Sequence, residues 1–354
     1  MEDVAAAAGV SRTSVSRVFL GQGKVSDATR ERVFAVASRL GYVPNVMASE
    51  LASRGSSVVG LLLRDAANPA YGLLFTRLQE AAHDAGITLI SMTISSDPRG
   101  SRQVDSLHRL MGMRVAGLIV ATGGVTSAQL EPFRARIPIV RAGRPEESGR
   151  IHAVSYDERA SARALAAHVA DQGHRSVAVI VTQEHASYPE YIRATNAAAE
   201  LAARGVRIVP LPAVALTDGI AEAIDLVRRR DVTAVMCPAD LRALHLLRAL
   251  DAAGLSVPGD VSVTGCDGIL PGIDLLGLTS YRIGVERLAE RAVANIAALI
   301  GDEPPRGTVR ELIAGRLVPG RTVAPPLAAS AAPPPLAPLP AATFPAVTLE
   351  QELR

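Results

Sequence analysis

The stretch at 4–18 leaves a chain little choice of local structure. It reads Val4-Ala-Ala-Ala-Ala-Gly-Val-Ser-Arg-Thr-Ser-Val-Ser-Arg-Val18. Ala5 is small enough to let a second helix cross closely. Gly9, four residues on, reaches the φ > 0 conformation of a tight turn without a Cβ penalty. Ser11 is a good N-cap for a new helix, and Val15 and Val18 return to the core at i, i+3 spacing. Small residue, turn glycine and capped second helix make a helix-turn-helix. A third helix follows: Ser26 caps it, Asp27 suits the positive end of its dipole, and Val33, Val36, Ala37 and Leu40 form its apolar face. Gly41 stops it, Gly41-Tyr-Val-Pro-Asn45 leads out, and 46–51 is a short apolar piece with nothing of its own to pack on.

In such a motif the second helix lies in the major groove of DNA and reads bases from its N-terminal end. The residues there are Arg12, Thr13, Ser14, Ser16 and Arg17. Arginine makes bidentate bonds to guanine O6 and N7, and hydroxyls serve bases or phosphates. Formal net charge is only +2 for the 354 residues, and 1–55 holds seven basic against five acidic residues. Binding would therefore rest on where charges sit and on dimerisation, not on total charge. Arg30, Arg32 and Arg39 read as a solvated helix face.

Taken together, Val4-Ala5, Ala8-Gly9-Val10-Ser11, Val15-Ser16-Arg17-Val18, Val25-Ser26, Thr29-Arg30 and Gly41-Tyr42-Val43-Pro44-Asn45 resemble the headpiece of the lactose/galactose repressor (LacI/GalR) family. The resemblance implies a DNA-binding headpiece over 1–44 and a hinge helix over 45–55 that folds when two protomers bind an operator. It implies DNA contacts from Ser11, Arg12, Thr13, Ser14, Ser16, Arg17, Lys24, Ser26, Thr29, Asn45, Ala48 and Leu51, with Leu51 as the wedge in a minor-groove base step. Two features depart from the family. Leu20 stands where Asn is common, and Ser49-Glu50 replaces a commoner Arg-Ser, putting a glutamate where phosphates make it unfavourable. The family's first helix also begins with a Thr or Ser cap two residues before the position of Glu2. Here Met1 already falls in the first turn, so either that helix frays, at a cost of about 1 kcal/mol, or the natural start lies upstream.

From Ser57 the pattern becomes strand–helix alternation. Apolar runs at 58–63, 87–93, 115–121 and 137–141 alternate with helical periodicity at 71–85 and 100–111. A second run places helices at 160–170, 191–204, 220–229, 241–253 and 285–300, and strands at 176–181, 206–211, 234–237 and 261–265. This spacing means βαβ units and parallel sheets with helices on both faces, so the fold class is α/β behind an all-α headpiece. Two such halves resemble the periplasmic-binding-protein type I core of the same family over 56–324. By that resemblance one subdomain takes about 57–156 and 283–314, the other about 157–282 and 315–324. The chain would cross between them near Asp157, Arg282 and Gly315, with a ligand between the halves at strand ends. The segment 322–349 is uncharged and long enough to span a bilayer, but its eight prolines forbid a continuous helix. The tail 325–354 reads as extended, disordered Ala/Pro-rich chain, and no membrane partner is expected.

Carried over residue by residue, the family's ligand positions fall on Asp65, Asn68, Tyr71, Arg193, Asp240 and Asp267. Carboxylates and a guanidinium at strand ends suit the hydroxyls of a small, sugar-like effector. Here too the chain departs: Ala239 for Asn, Cys266 for an aromatic, Gly268 for a second Asp, and Ile283 where Gln is frequent. With no tryptophan and 3% aromatics, Tyr71, Tyr156 and Tyr188 are the candidates to stack a sugar ring. Against an enzyme, Gly123-Gly124 follows a strand but no phosphate-loop pattern appears, and His185 and Ser187 form no nucleophile signature. The two cysteines, Cys237 and Cys266, read as buried reduced thiols, with no disulfide framework and no metal site. No cofactor is expected. The N-terminus runs straight into a charged helix, so no signal peptide and a cytoplasmic location are expected, against the rival reading of an exported solute-binding protein on the same core. The expectation is a transcriptional repressor that binds a near-palindromic operator as a homodimer under control of a small molecule.

Overall fold

The computed structural model describes residues 1–20, 25–43, 58–94, 101–146, 148–184, 186–302 and 304–327. The expectations for Lys24, Asn45, Ala48, Leu51, the hinge over 45–55 and the tail past 327 lie outside those residues.

Three helices form the headpiece: α1 (Glu2–Ala8), α2 (Arg12–Leu20) and α3 (Asp27–Arg39). Gly9 ends α1 in the left-handed conformation, φ 64°, which turns the chain into α2. Val4, Ala5, Ala8, Val15, Val18, Val33, Val36 and Ala37 are buried together. Burying a valine contributes about 1.5–3 kcal/mol, so the five buried valines dominate this small core. Leu40 does not join it: it is the C-cap of α3 and 47% exposed. Phe19 and Tyr42 fill that end instead, Phe19 lying 5.7 Å from Tyr42 and edge-on to Phe34 at 5.5 Å. Met1 takes the N-cap position of α1 with no side-chain bond.

The first half of the core runs β1 (Val58–Leu63), α4 (Pro69–Asp84), β2 (Thr88–Thr93), α5 (Ser101–Gly112), β3 (Gly117–Ala121), α6 (Ser127–Arg134), β4 (Ile139–Ala142) and β5 (His152–Tyr156). The second runs α7 (Glu158–Asp171), β6 (Ser176–Thr182), α8 (Tyr188–Ala203), β7 (Arg207–Ala213), α9 (Ile220–Arg228), β8 (Ala234–Met236), α10 (Asp240–Ala252), β9 (Ser262–Thr264), α11 (Ile273–Leu276) and β10 (Ser280–Arg282). Then come α12 (Val285–Ile300), β11 (Arg310–Ile313) and β12 (Arg316–Val318). Six strands form one parallel sheet in the order β11-β5-β4-β3-β1-β2; four form another, β7-β6-β8-β9, also parallel. β10 pairs antiparallel with β12, and isolated bridges from Thr264 to Thr279 and from Asp267 to Arg282 tie β10 to the second sheet. The chain thus passes between the sheets three times, after β5, after β10 and after β11. Every residue of β1 is buried, as a central strand of a sheet covered on both faces must be. α12 packs on α4 and across β3, β4 and β5, which carries its apolar stripe back to the first sheet.

Several boundaries differ from the periodicity reading for local reasons. α8 begins at Tyr188, not 191, because Pro189 sits in the first turn, where its missing N–H costs nothing. α7 begins at Glu158 because Asp157 caps it, accepting from the Ala160 N–H at 2.9 Å. α6 was not anticipated, although Thr126 and Gln129 make a capping box for it. The short strands β5, β10, β11 and β12 also escaped the periodicity reading; β10 to β12 have only three or four residues each, and their pairing decides them.

Candidate ligand cleft and nucleic-acid interface

Val15 and Val18 point α2 into the headpiece. At about 100° per residue, Arg12, Thr13, Ser16 and Arg17 therefore share the opposite arc, with Arg12, Thr13 and Arg17 exposed. The Ser11 hydroxyl accepts from the Ser14 N–H at 3.1 Å and lies 2.9 Å from the Ser14 hydroxyl, so both serve the helix end. Ser26 does the same for α3, accepting from the Thr29 N–H at 3.4 Å, with the Thr29 hydroxyl 2.9 Å away. Arg12 lies 3.5 Å from Glu2, both side chains largely in solvent. Such an exposed pair is worth about 0–1 kcal/mol, so it does not fix the Arg12 side chain.

Between the two sheets, at the C-terminal ends of their strands, lies a cavity that opens to solvent. The first half supplies Asn68 and Tyr71 from the start of α4, Thr122 and Gly123 after β3, Gly143 and Arg144 after β4, and Tyr156 from β5. The second supplies Ser187 at the N-cap of α8, Glu190 and Arg193 from α8, with Ala239 and Asp267, and Ile283 lies on the crossover. Asn68 caps α4, accepting from the Ala70 N–H at 3.0 Å. Arg64 donates to the Ala186 carbonyl across the cleft, and the Arg144 guanidinium lies 4.0 Å from the centre of the Tyr188 ring.

Arg193 is the hub. Its Nε and Nη2 meet the two oxygens of Glu158 at 2.6 and 3.1 Å, and its Nη1 meets Asp267 at 2.7 Å and the Pro238 carbonyl at 3.2 Å. Burial opposes its charge, but Cys266, Glu158 and Asp267 around it hold the proton well above the ordinary arginine range. Asp267 moves the other way from a simple ion pair. Burial pushes it up to about 7, and the carboxylates of Asp240 and Glu158 add to that, outweighing Arg193. Three buried carboxylates face one guanidinium here, so the group holding the excess charge binds a proton readily. Asp267 also carries a positive φ of 124°, rare for a residue with a side chain. Tyr71 has its phenol raised by burial, which outweighs the lowering effect of Arg64.

Of the six residues named from the sequence, Asn68, Tyr71, Arg193 and Asp267 line the cavity, whereas Asp65 and Asp240 do not. Asp65 turns back to accept from the Ala67 N–H at 3.0 Å, a turn-stabilising role. Asp240 is 1% exposed; it accepts from the Ser280 hydroxyl at 2.5 Å and the Gly268 N–H at 2.6 Å, clamping β10 and the 267–268 turn. Arg193 also pairs with Asp267 directly, not through water, and has no bond to Asp240. Gly268 is explained by the same turn: at φ 64° a Cβ there would collide with the Arg282 backbone. Glu158, Arg144 and Glu190 went unrecognised in the sequence. Glu158 had one signal, an acid in the first turn of a helix at a crossover, but such acids are usually solvated. Arg144 is presented by the loop after β4, which a buried pair holds: Arg141 meets Glu146 at 2.9 Å and the Val125 carbonyl, and Ser127 donates to Glu146 at 2.7 Å. Burial lowers the Arg141 proton affinity despite that partner. Among the described residues no group of His, Cys, Asp and Glu could hold a metal ion, and no helix is long and apolar enough to cross a membrane.

Residues 1–45 match the bacterial regulatory proteins of the lacI family, and 166–323 match the periplasmic binding protein-like domain. The chain is 30% identical over 318 residues to the HTH-type transcriptional regulator MalR of Streptomyces coelicolor, covering 86% of this chain and 91% of that one. It is 28% identical over 330 residues to the regulator DegA of Bacillus subtilis, covering 91% and 92%. Among solved structures, a lac repressor dimer bound to operator and the anti-inducer ONPF superposes with TM-score 0.77 at 22% identity, over 91% of this chain and 98% of that one. A complex of the transcriptional regulator CelR with cellobiose gives 0.65 at 26%, over 91% and 99%.

Proposed function

This chain belongs to the lacI family of bacterial regulatory proteins, and from that premise we propose how its residues divide the work of a transcriptional regulator. The headpiece over 1–44 reads an operator through Arg12, Thr13, Ser16 and Arg17 on the outer arc of α2, with Ser11, Ser14, Ser26 and Thr29 holding the helix ends that approach phosphates. Lys24, Asn45, Ala48 and Leu51 join this reading from the sequence alone. Two protomers bind together, as in the operator-bound dimer of the lac repressor, so the operator is near-palindromic and bound DNA is repressed. The core over 56–324 takes a small polyhydroxylated effector in the cleft, as the regulator CelR takes cellobiose.

The observation that carries the reading is the cleft itself, lined from both halves of the core and bridged by Arg64 and Arg144 to the 186–188 segment. A ligand seated there touches both halves, so it prefers one inter-domain arrangement. Any such preference biases what the headpieces can do on DNA. Selection of binding sites from random DNA with the full chain tests the first half: near-palindromic sites are expected, and sites without two-fold symmetry refute the dimer. Repeating the selection with pooled metabolites tests the second, since a fraction that shifts operator affinity must do so through the core.

A further inference from the structure

Of the charged groups lining the cavity, all but one have an oppositely charged partner among the described residues. Glu190 is held by Arg242 at 2.5 Å, and Arg193 by Glu158 and Asp267. Arg144 also lines the cavity, yet among the described residues no carboxylate pairs with it. Its Nη1 donates to the Gly123 carbonyl at 2.5 Å, and its guanidinium rests on the Tyr188 ring. A carbonyl and a ring face orient a cation without cancelling its charge. The acid two residues on, Glu146, is already occupied by Arg141 and Ser127. Beside Arg144 the wall is the first turn of α8, a sixteen-residue helix with no side-chain cap, whose dipole adds positive potential at that end. Asp267 and Arg193, on the same wall, offer an acceptor and one remaining N–H donor to hydroxyl groups.

We propose that the cavity takes an anionic polyol of monosaccharide size, with its phosphate or carboxylate group on Arg144 and its hydroxyls toward Arg193 and Asp267. This rests on the cleft being the effector site. The planar guanidinium fork matches either acidic group in bidentate fashion, and a neutral sugar leaves it unmatched. A charge-assisted pair of this kind favours the anion by about tenfold or more in Kd.

The full chain is titrated calorimetrically with glucose 6-phosphate, gluconate, glucose, sorbitol and inorganic phosphate, at low and moderate salt. Glucose 6-phosphate binding at least tenfold more tightly than glucose identifies the phosphate ester; gluconate doing so over sorbitol identifies the carboxylate. In either case the preference should shrink with salt and vanish in Arg144→Gln, whose melting curve without ligand checks that it folds. If that variant does not fold, loss of the preference on adding competing inorganic phosphate to the wild type supports the same assignment. A neutral probe binding as tightly as its anionic counterpart, or a preference that persists in Arg144→Gln, overturns the anionic ligand and leaves the effector cleft standing. Silence from every probe overturns the proposal and counts against the cleft as well.

Discussion

Arg193→Ala tests the energetics of the cleft. Arg193 is 6% exposed and makes three bonds to carboxylate oxygens, two to Glu158 and one to Asp267. Its removal leaves those carboxylates facing each other and Asp240 in a buried site. Breaking one side of a buried pair costs about 3–5 kcal/mol, and that is the loss expected near pH 8 in urea unfolding. The loss should be smaller at pH 5.5, because Asp267 already binds a proton near 7 with Arg193 present and binds it more tightly without it. Wherever the variant's native state holds one more proton than the wild type's, the destabilisation changes by about 1.4 kcal/mol per pH unit and grows as pH rises. Circular dichroism in urea at the two pH values measures this. A loss under about 1 kcal/mol, the worth of a surface pair, or one that is the same at both pH values, would refute the assignment of Arg193 as counter-ion to a proton-hungry cluster.

Asp267 itself gives a signed pH effect. Its folded pKa of about 7 lies above the ordinary 3.8, so its contribution is fully present below the unfolded value and is lost as pH rises through 7. Ligand-free protein should therefore lose stability between about pH 4 and 7, and Asp267→Asn should flatten that decline; an unchanged slope in the variant would assign it to another group. Arg17→Ala should weaken operator binding by about 1–3 kcal/mol and relax one base position per half-site. Equal loss on all sequences, seen by gel shift, would make Arg17 a phosphate contact instead. Gly268→Ala must place a Cβ against the Arg282 backbone at positive φ, and should lower stability by about 1–3 kcal/mol; a melting curve matching wild type would mean the turn relaxes freely.

What could be read from residue order alone was local. Gly9 as a turn, Ser11 and Ser26 as caps, and the inward Val15 and Val18 act within four residues along the chain, and the headpiece follows from them. The buried runs of β1 and β3 with helical periods between them are local in the same way, and they compel parallel sheets whose strand ends meet in a cleft. The family resemblance, carried over residue by residue, named Asn68, Tyr71, Arg193 and Asp267 among the expected ligand contacts, and these four line the cavity. The tertiary structure decided the pairings. Arg193 lies 35 residues from Glu158 and 74 from Asp267, and Asp240 lies 40 from Ser280. Nothing in the order of residues distinguishes an aspartate that faces a cavity from one that clamps a neighbouring strand, because both end a strand and begin a helix or turn. Side-chain direction is set by what packs behind it, so Asp240 turned to β10, Asp65 to its own turn, and Arg144, unmarked in the sequence, came to stand on the cavity wall without a carboxylate partner among the described residues.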